Sequence, residues 1–184
     1  MPTKPTKAGA RNPERKPGRA RSVSLAVQYA ADGSDLVGVP SREKFRRWVR
    51  AALDADAVIT LRIVGEAEGK ELNATYRHQR HATNVLTFDY GTTASPAGDL
   101  VLCAPVVARE AAAQGKSLEA HYAHLTVHGM LHLQGHDHQH DVEANGMERL
   151  ETAILRQLGF PDPYREAPAR ASESRSGRLT RQSS

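Results

Sequence analysis

The sequence predicts an α+β domain: a small mixed sheet of about four strands with about five helices. Three observations carry this. Alternating or β-branched runs are interleaved with runs of helical period between residues 22 and 164, separated by Gly, Pro and polar breakers. The 184 residues suffice for one domain with tails and a sizeable buried core. Only nine residues are Phe, Trp or Tyr, so that core rests mainly on Leu, Val, Ile and Ala.

The elements follow in order. SVSLAVQYA (22–30) alternates and reads as a strand. SREKFRRWVRAALDAD (41–56) reads as an amphipathic helix, with Ser41 as N-cap and Phe45, Trp48, Val49, Ala52 and Leu53 at helical spacing. AVITLRIVG (57–65) is a β-branched strand, and EAEGKELNATYR (66–77) a short helix with Leu72 and Tyr76 on one face. TNVLTFDY (83–90) is a strand, GTTASPAG (91–98) a turn or loop, and DLVLCAP (99–105) a strand stopped by Pro105. VVAREAAAQG (106–115) is a helix that Gly115 can close. LEAHYAHLTVHGMLHLQG (118–135) is helical to Gly135, and DVEANGMERLETAILRQLG (141–159) is a last helix closed by Gly159 and Pro161. No internal repeat is present.

Charge separates the ends from the middle. Residues 1–21 carry net +6 and residues 165–184 net +3, leaving 22–164 at −5 beneath a whole-chain +4. Both ends are rich in Pro, Gly, Ser, Ala and Arg and poor in large apolar residues, so they cannot bury enough surface to offset ordering. The expected organisation is a disordered basic tail (1–21), a folded domain (22–164) and a second disordered basic tail (165–184). The tails are either solvated ends or electrostatic RNA binders, and composition leaves both open.

No apolar run approaches the roughly 18 residues of a membrane helix, so no span and no membrane partner are expected. The basic N-terminus lacks the apolar segment of a secretory leader. Cys103 is the sole cysteine, which excludes an intrachain disulfide and a cysteine-based zinc knuckle. A cytoplasmic location fits best.

The strongest chemical signal is histidine. Seven of nine histidines lie between 121 and 140. His128 and His132 are four apart on a predicted helix, so both imidazoles leave one face about 6 Å apart and can share a metal ion. Gly135 then allows the helix to stop, and His138 can return as a third ligand. The pattern H-x-x-x-H-x-x-G-x-x-H, here HGMLHLQGHDH, is zincin-like: three neutral nitrogens leave a fourth tetrahedral position open. It matches the metzincin proteases at the three histidines and the glycine, but Gly129 stands where those enzymes carry their Glu base. His124, one turn before His128, is either a core residue, a supporting partner or a ligand. His136 competes with His138 for the third position, and Asp137 either orients a ligand imidazole or forms the turn. Imidazole also suits nickel, copper and iron.

HGMLHLQGHDH resembles the signature of the YbeY family of bacterial endoribonucleases and rRNA maturation factors. LNATYRHQRHATNVLTFDY (72–90), GDLVL (98–102) and MERLETAILRQLGFPDPY (147–164) are similar to further segments of that family, so the resemblance covers roughly 22–164. Departures are His136 where Tyr is commoner, Thr87 for Ser, Asp89-Tyr90 for a frequent Pro, and the long tails. The resemblance implies His128, His132 and His138 as ligands of one Zn2+, and Arg77 as a functional arginine. It implies zinc-dependent cleavage of single-stranded RNA in 16S rRNA 3′-end processing and ribosome quality control, with the small ribosomal subunit and an Era-type GTPase as partners. Arg77 suits the role, because its planar fork matches two phosphate oxygens and stays charged. Arg42, Lys44, Arg46, Arg47 and Arg50 of the first helix either meet RNA or form a solvated face. Two rival readings are a ribosome-assembly factor with a mainly structural zinc and a metalloprotease.

Overall fold

The computed structural model describes residues 21–92, 95–136 and 141–165, and for 141–143 the backbone alone. Both tails expected to be disordered, 1–21 and 165–184, lie almost wholly outside the described residues.

Four strands form one sheet: β1 (Val23–Tyr29), β2 (Ala57–Val64), β3 (Val85–Asp89) and β4 (Ala97–Cys103), in the order β1-β2-β4-β3. β1, β2 and β4 are parallel, and β3 runs antiparallel along β4 as an edge. Parallel neighbours need a crossover. α1 (Arg42–Ala52) joins β1 to β2, and α2 (Glu66–Arg77) lies between β2 and β3. α3 (Ala104–Ala113), α4 (Leu118–Leu133) and α5 (Asp141–Leu158) follow.

Strand alternation sorts side chains onto two faces. On one, Ile59, Leu61, Ile63, Leu100 and Leu102 are buried against α1, α4 and α5, with Phe45, Trp48, Tyr122 and Met130 in the same core. On the other, Val64, Leu86, Val101 and Cys103 pack with Leu72 of α2. α2 and α4 therefore cover opposite faces. β1 alternates between half-buried and exposed positions, because among the described residues no helix covers the outer face of that edge.

The predicted class and element count hold, with local differences. α1 stops at Ala52 rather than 56, because Leu53 turns extended and enters the core. Ser41 occupies the N-cap position without a side-chain capping bond. β4 begins two residues early and ends at Cys103. Pro105 sits in the first turn of α3, where its missing N–H costs nothing, so it opens a helix rather than stopping a strand. A 3-10 turn at Gly33–Leu36 was not expected.

α4 is buried on almost every side, including Tyr122, Val127, Met130 and Leu133. Ser117 caps its start by accepting from Ala120 N at 3.2 Å. Its end is a Schellman closure: Gly135, at φ 81°, donates to His132 O at 2.9 Å, and His136 N donates to Leu131 O at 3.1 Å. The predicted stop at Gly135 is thus built from a left-handed glycine.

Candidate metal centre

α4 lies tight on the sheet. A Cβ placed at Gly129 would overlap Leu100, itself wholly buried on β4. The position after the first signature histidine therefore faces packed core, and a glutamate there has no room. The missing protease base is a packing consequence as well as a chemical one.

The histidines emerge on the remaining side. Ring centroids of His121, His124, His128 and His132 follow one another at 6.4, 6.3 and 4.5 Å. Nε2 of His128 and Nε2 of His132 are 3.1 Å apart. Two nitrogens on a common tetrahedral zinc, each 2.0–2.1 Å from it, stand about 3.3 Å apart. The observed pair fits that requirement. Among the described residues no group of three His, Cys, Asp or Glu is arranged as a metal site. The expected third ligand, His138, lies outside the described residues, as does Asp137. His136 is exposed, directly after the glycine that ends α4.

A residue that sequence reasoning missed organises this stripe. Glu151 of α5 is fully buried. Its Oε1 accepts from His128 Nδ1 at 2.7 Å, and its Oε2 from His124 Nε2 at 3.1 Å. The Tyr164 hydroxyl donates to the same Oε2. Burial pushes this carboxyl up, but the bonds from His124, His128 and Tyr164 outweigh it and hold it at about 2. The carboxylate in turn raises the Tyr164 phenol, second to burial. Because His128 donates through Nδ1, its Nε2 carries the lone pair that a metal needs. His124 spends its Nε2 on Glu151, which makes it a supporting partner in this arrangement. The missed signal was legible: Glu151 falls four residues from both Met147 and Leu155, on the stripe that α5 buries.

A second polar group lies at the other end of α4. His121 Nε2 is 2.9 Å from Glu110 Oε2, which also accepts from Asn84 Nδ2 at 2.9 Å. Burial lowers the His121 pKa against the pull of Glu110.

Arg77 is the last residue of α2 and is exposed. It lies on the helix that covers the opposite sheet face, and no hydrogen bond joins it to the histidines among the described residues. Its neighbours explain the local motif. Asn73 Nδ2 donates to His81 O at 2.6 Å, tying down the loop after α2, and Tyr76 packs edge-on against Phe88 of β3 at 4.8 Å. Of the five cations on α1, Lys44 pairs with Glu119, Arg47 donates to Leu158 O and Arg42 lies over the Tyr29 ring. That face is partly committed to holding the fold.

Fold and site define a small α+β domain built around a central histidine-bearing helix. The family model described as Endoribonuclease YbeY matches residues 35–159. The Endoribonuclease YbeY of Azoarcus sp. is 57% identical over 150 residues, covering 77% of this chain and 60% of that protein. That of Aromatoleum aromaticum is 58% identical over 142 residues (77% and 92%), and that of Nitrosomonas europaea 52% over 154 residues (84% and 92%). The solution structure of TM1509 from Thermotoga maritima aligns with a TM-score of 0.48 at 22% identity, over 77% of this chain and 99% of that one. The chain belongs to the endoribonuclease YbeY family. No helix among the described residues is long and apolar enough to cross a membrane.

Proposed function

We propose that this chain is a zinc-dependent endoribonuclease for single-stranded RNA, acting in 16S rRNA 3′-end maturation and ribosome quality control in the cytoplasm. The small ribosomal subunit is its partner, and an Era-type GTPase a second one. The observation that carries the reading is the His128–His132 Nε2 pair at 3.1 Å, backed by a buried carboxylate. Family membership directs that site to RNA.

His128, His132 and His138 would hold the ion. When bound there, zinc supplies a Lewis acid that polarises a phosphodiester and makes water more acidic. The chain's own residues do the rest. Glu151 fixes the His128 ring and tautomer. Leu100 and Gly129 bring α4 hard against β4 and so fix the height of the stripe. Arg77 would neutralise phosphate charge on the substrate with a bidentate fork.

The test is a cleavage time course on a labelled single-stranded RNA spanning a 16S 3′ precursor. Wild type and His132→Ala are purified in parallel, with bound metal quantified in the same samples. Cutting and about one zinc per chain in wild type alone support the reading. Equal cutting by both proteins overturns it and leaves an assembly factor with a structural zinc as the better account.

A further inference from the structure

The α5 C-terminus and the segment after it enclose a cavity of about 660 Å³ against the start of α4. It adjoins the histidine stripe: His124 forms part of its wall, one ring away from His128. We propose that this cavity is a subsite for one nucleotide of a single-stranded RNA, with Lys116 and Arg165 on the phosphate and the base against Leu155, Pro161 and Pro163.

The polar inventory points to an anion. Lys116 is half-buried and forms no ion pair among the described residues. Arg165 also lines the cavity without a side-chain partner there. Arg156 is the third cation, but Asp162 neutralises it at 3.3 Å. Lys116 and Arg165 therefore bring two positive charges to one recess, with the Glu110 carboxylate acting on Lys116 from outside the wall. Desolvation pushes the Lys116 ammonium towards neutrality, and a phosphate would reverse that cost.

The rest of the wall is wrong for a bare anion and right for a base. Leu155 and Pro163 are buried and apolar. The volume falls within the range of small-molecule sites, about 300–1,000 Å³. The His124 Nδ1 is buried and has no hydrogen-bond partner among the described residues. With Nε2–H given to Glu151, that nitrogen is an acceptor, suited to an exocyclic amine. Position supplies the remaining argument. A nucleotide here lies one helical turn from His128, as a residue flanking the scissile phosphate must. That last step rests on the nuclease reading; the binding itself does not.

The experiment measures binding without cleavage. Full-length protein is titrated into a fluorescein-labelled single-stranded RNA decamer in EDTA, and anisotropy is read at several salt concentrations. Lys116→Ala and Arg165→Ala are compared with wild type and with Lys70→Ala, an exposed position on α2. Each cavity variant is expected to weaken binding about tenfold and to lower the salt slope by about 0.7, while Lys70→Ala matches wild type. In 15N spectra, adenosine monophosphate should shift Gly115, Ser117 and Ala120. With zinc restored, KM for RNA rises and kcat holds. Unchanged affinity in both variants, or nucleotide shifts confined elsewhere, overturns the subsite. The two readings separate cleanly. Binding lost in Lys116→Ala by a protein that never cuts RNA keeps the subsite and removes the nuclease. Cutting with an unchanged KM in Lys116→Ala does the reverse.

Discussion

Replacing Glu151 with Gln tests how the stripe is organised. The two side chains are nearly the same size, so packing is preserved and only the donor–acceptor pattern changes. Glu151 accepts at both oxygens, Oε1 from His128 and Oε2 from His124 and Tyr164. Gln offers one acceptor and one donor. With its NH2 towards His128, two donors oppose each other, and the imidazole escapes by moving its proton to Nε2, where the lone pair was needed. With its NH2 the other way, it opposes His124 and Tyr164 together. Either arrangement disrupts the support behind His128, the proposed ligand. Loss of such a partner costs about 10–100-fold in metal affinity, or about 1.4–2.8 kcal/mol. The assay is zinc competition against a chromogenic chelator, with circular dichroism confirming that the variant is folded. A folded Glu151→Gln protein that holds zinc as tightly as wild type would refute the reasoning.

Three further outcomes follow from the geometry. Gly129→Ala pushes a methyl into Leu100 and should cost about 1–3 kcal/mol of stability, read as a lower midpoint in urea. Tyr164→Phe removes one of the three donors to Glu151 and should lower zinc affinity by less than Glu151→Gln does; an effect equal to or larger than that one would show that Tyr164 acts otherwise. His121 gives a pH dependence. Its folded-state pKa is lowered, chiefly by burial, while Glu110 pulls it up and His124 and Lys116 push it down. The unfolded chain therefore takes the proton first, and stability falls as pH drops below about 6.5, levelling once the folded imidazole protonates. Thermal melts from about pH 7.5 to about pH 5.5 should show a shallower loss in His121→Gln than in wild type.

How much of this was legible in the sequence depends on which force set each feature. Periodicity placed α2 at 66–77 and α5 to within a residue, because each buries one stripe and exposes the other. α4 is apolar nearly all round, yet Leu118, Tyr122, Leu125, Leu131 and Leu133 still carry the helical period, and Gly135 marks its end. The order β1-β2-β4-β3 was not legible. It depends on which strands share a core, and the residue pattern of a strand does not name its neighbours. Pro105 misled, because proline ends a strand and opens a helix with equal ease, and only the chain beyond Cys103 decides. Glu151 was passed over for a related reason. An acid in an amphipathic helix is read as solvated by default, and its place between Met147 and Leu155 becomes informative only against the buried stripe.

That placement also narrows the chemistry. In the protease pattern, the glutamate after the first histidine stands free to exchange a proton. Here the corresponding position is spent on contact with Leu100, and the carboxylate nearest the histidines comes from another helix. It cannot take over the protease role. Glu151 is wholly buried and already accepts three hydrogen bonds, so neither solvent nor a substrate can reach it to give it a proton. A carboxylate held in this way orients and does not titrate during turnover. The helical histidine spacing thus stands here beside a positioning carboxylate rather than an acid–base one. A leaving amine and a leaving ribose oxygen both need a proton or a positive charge, so in either reaction that help comes from a group other than Glu151.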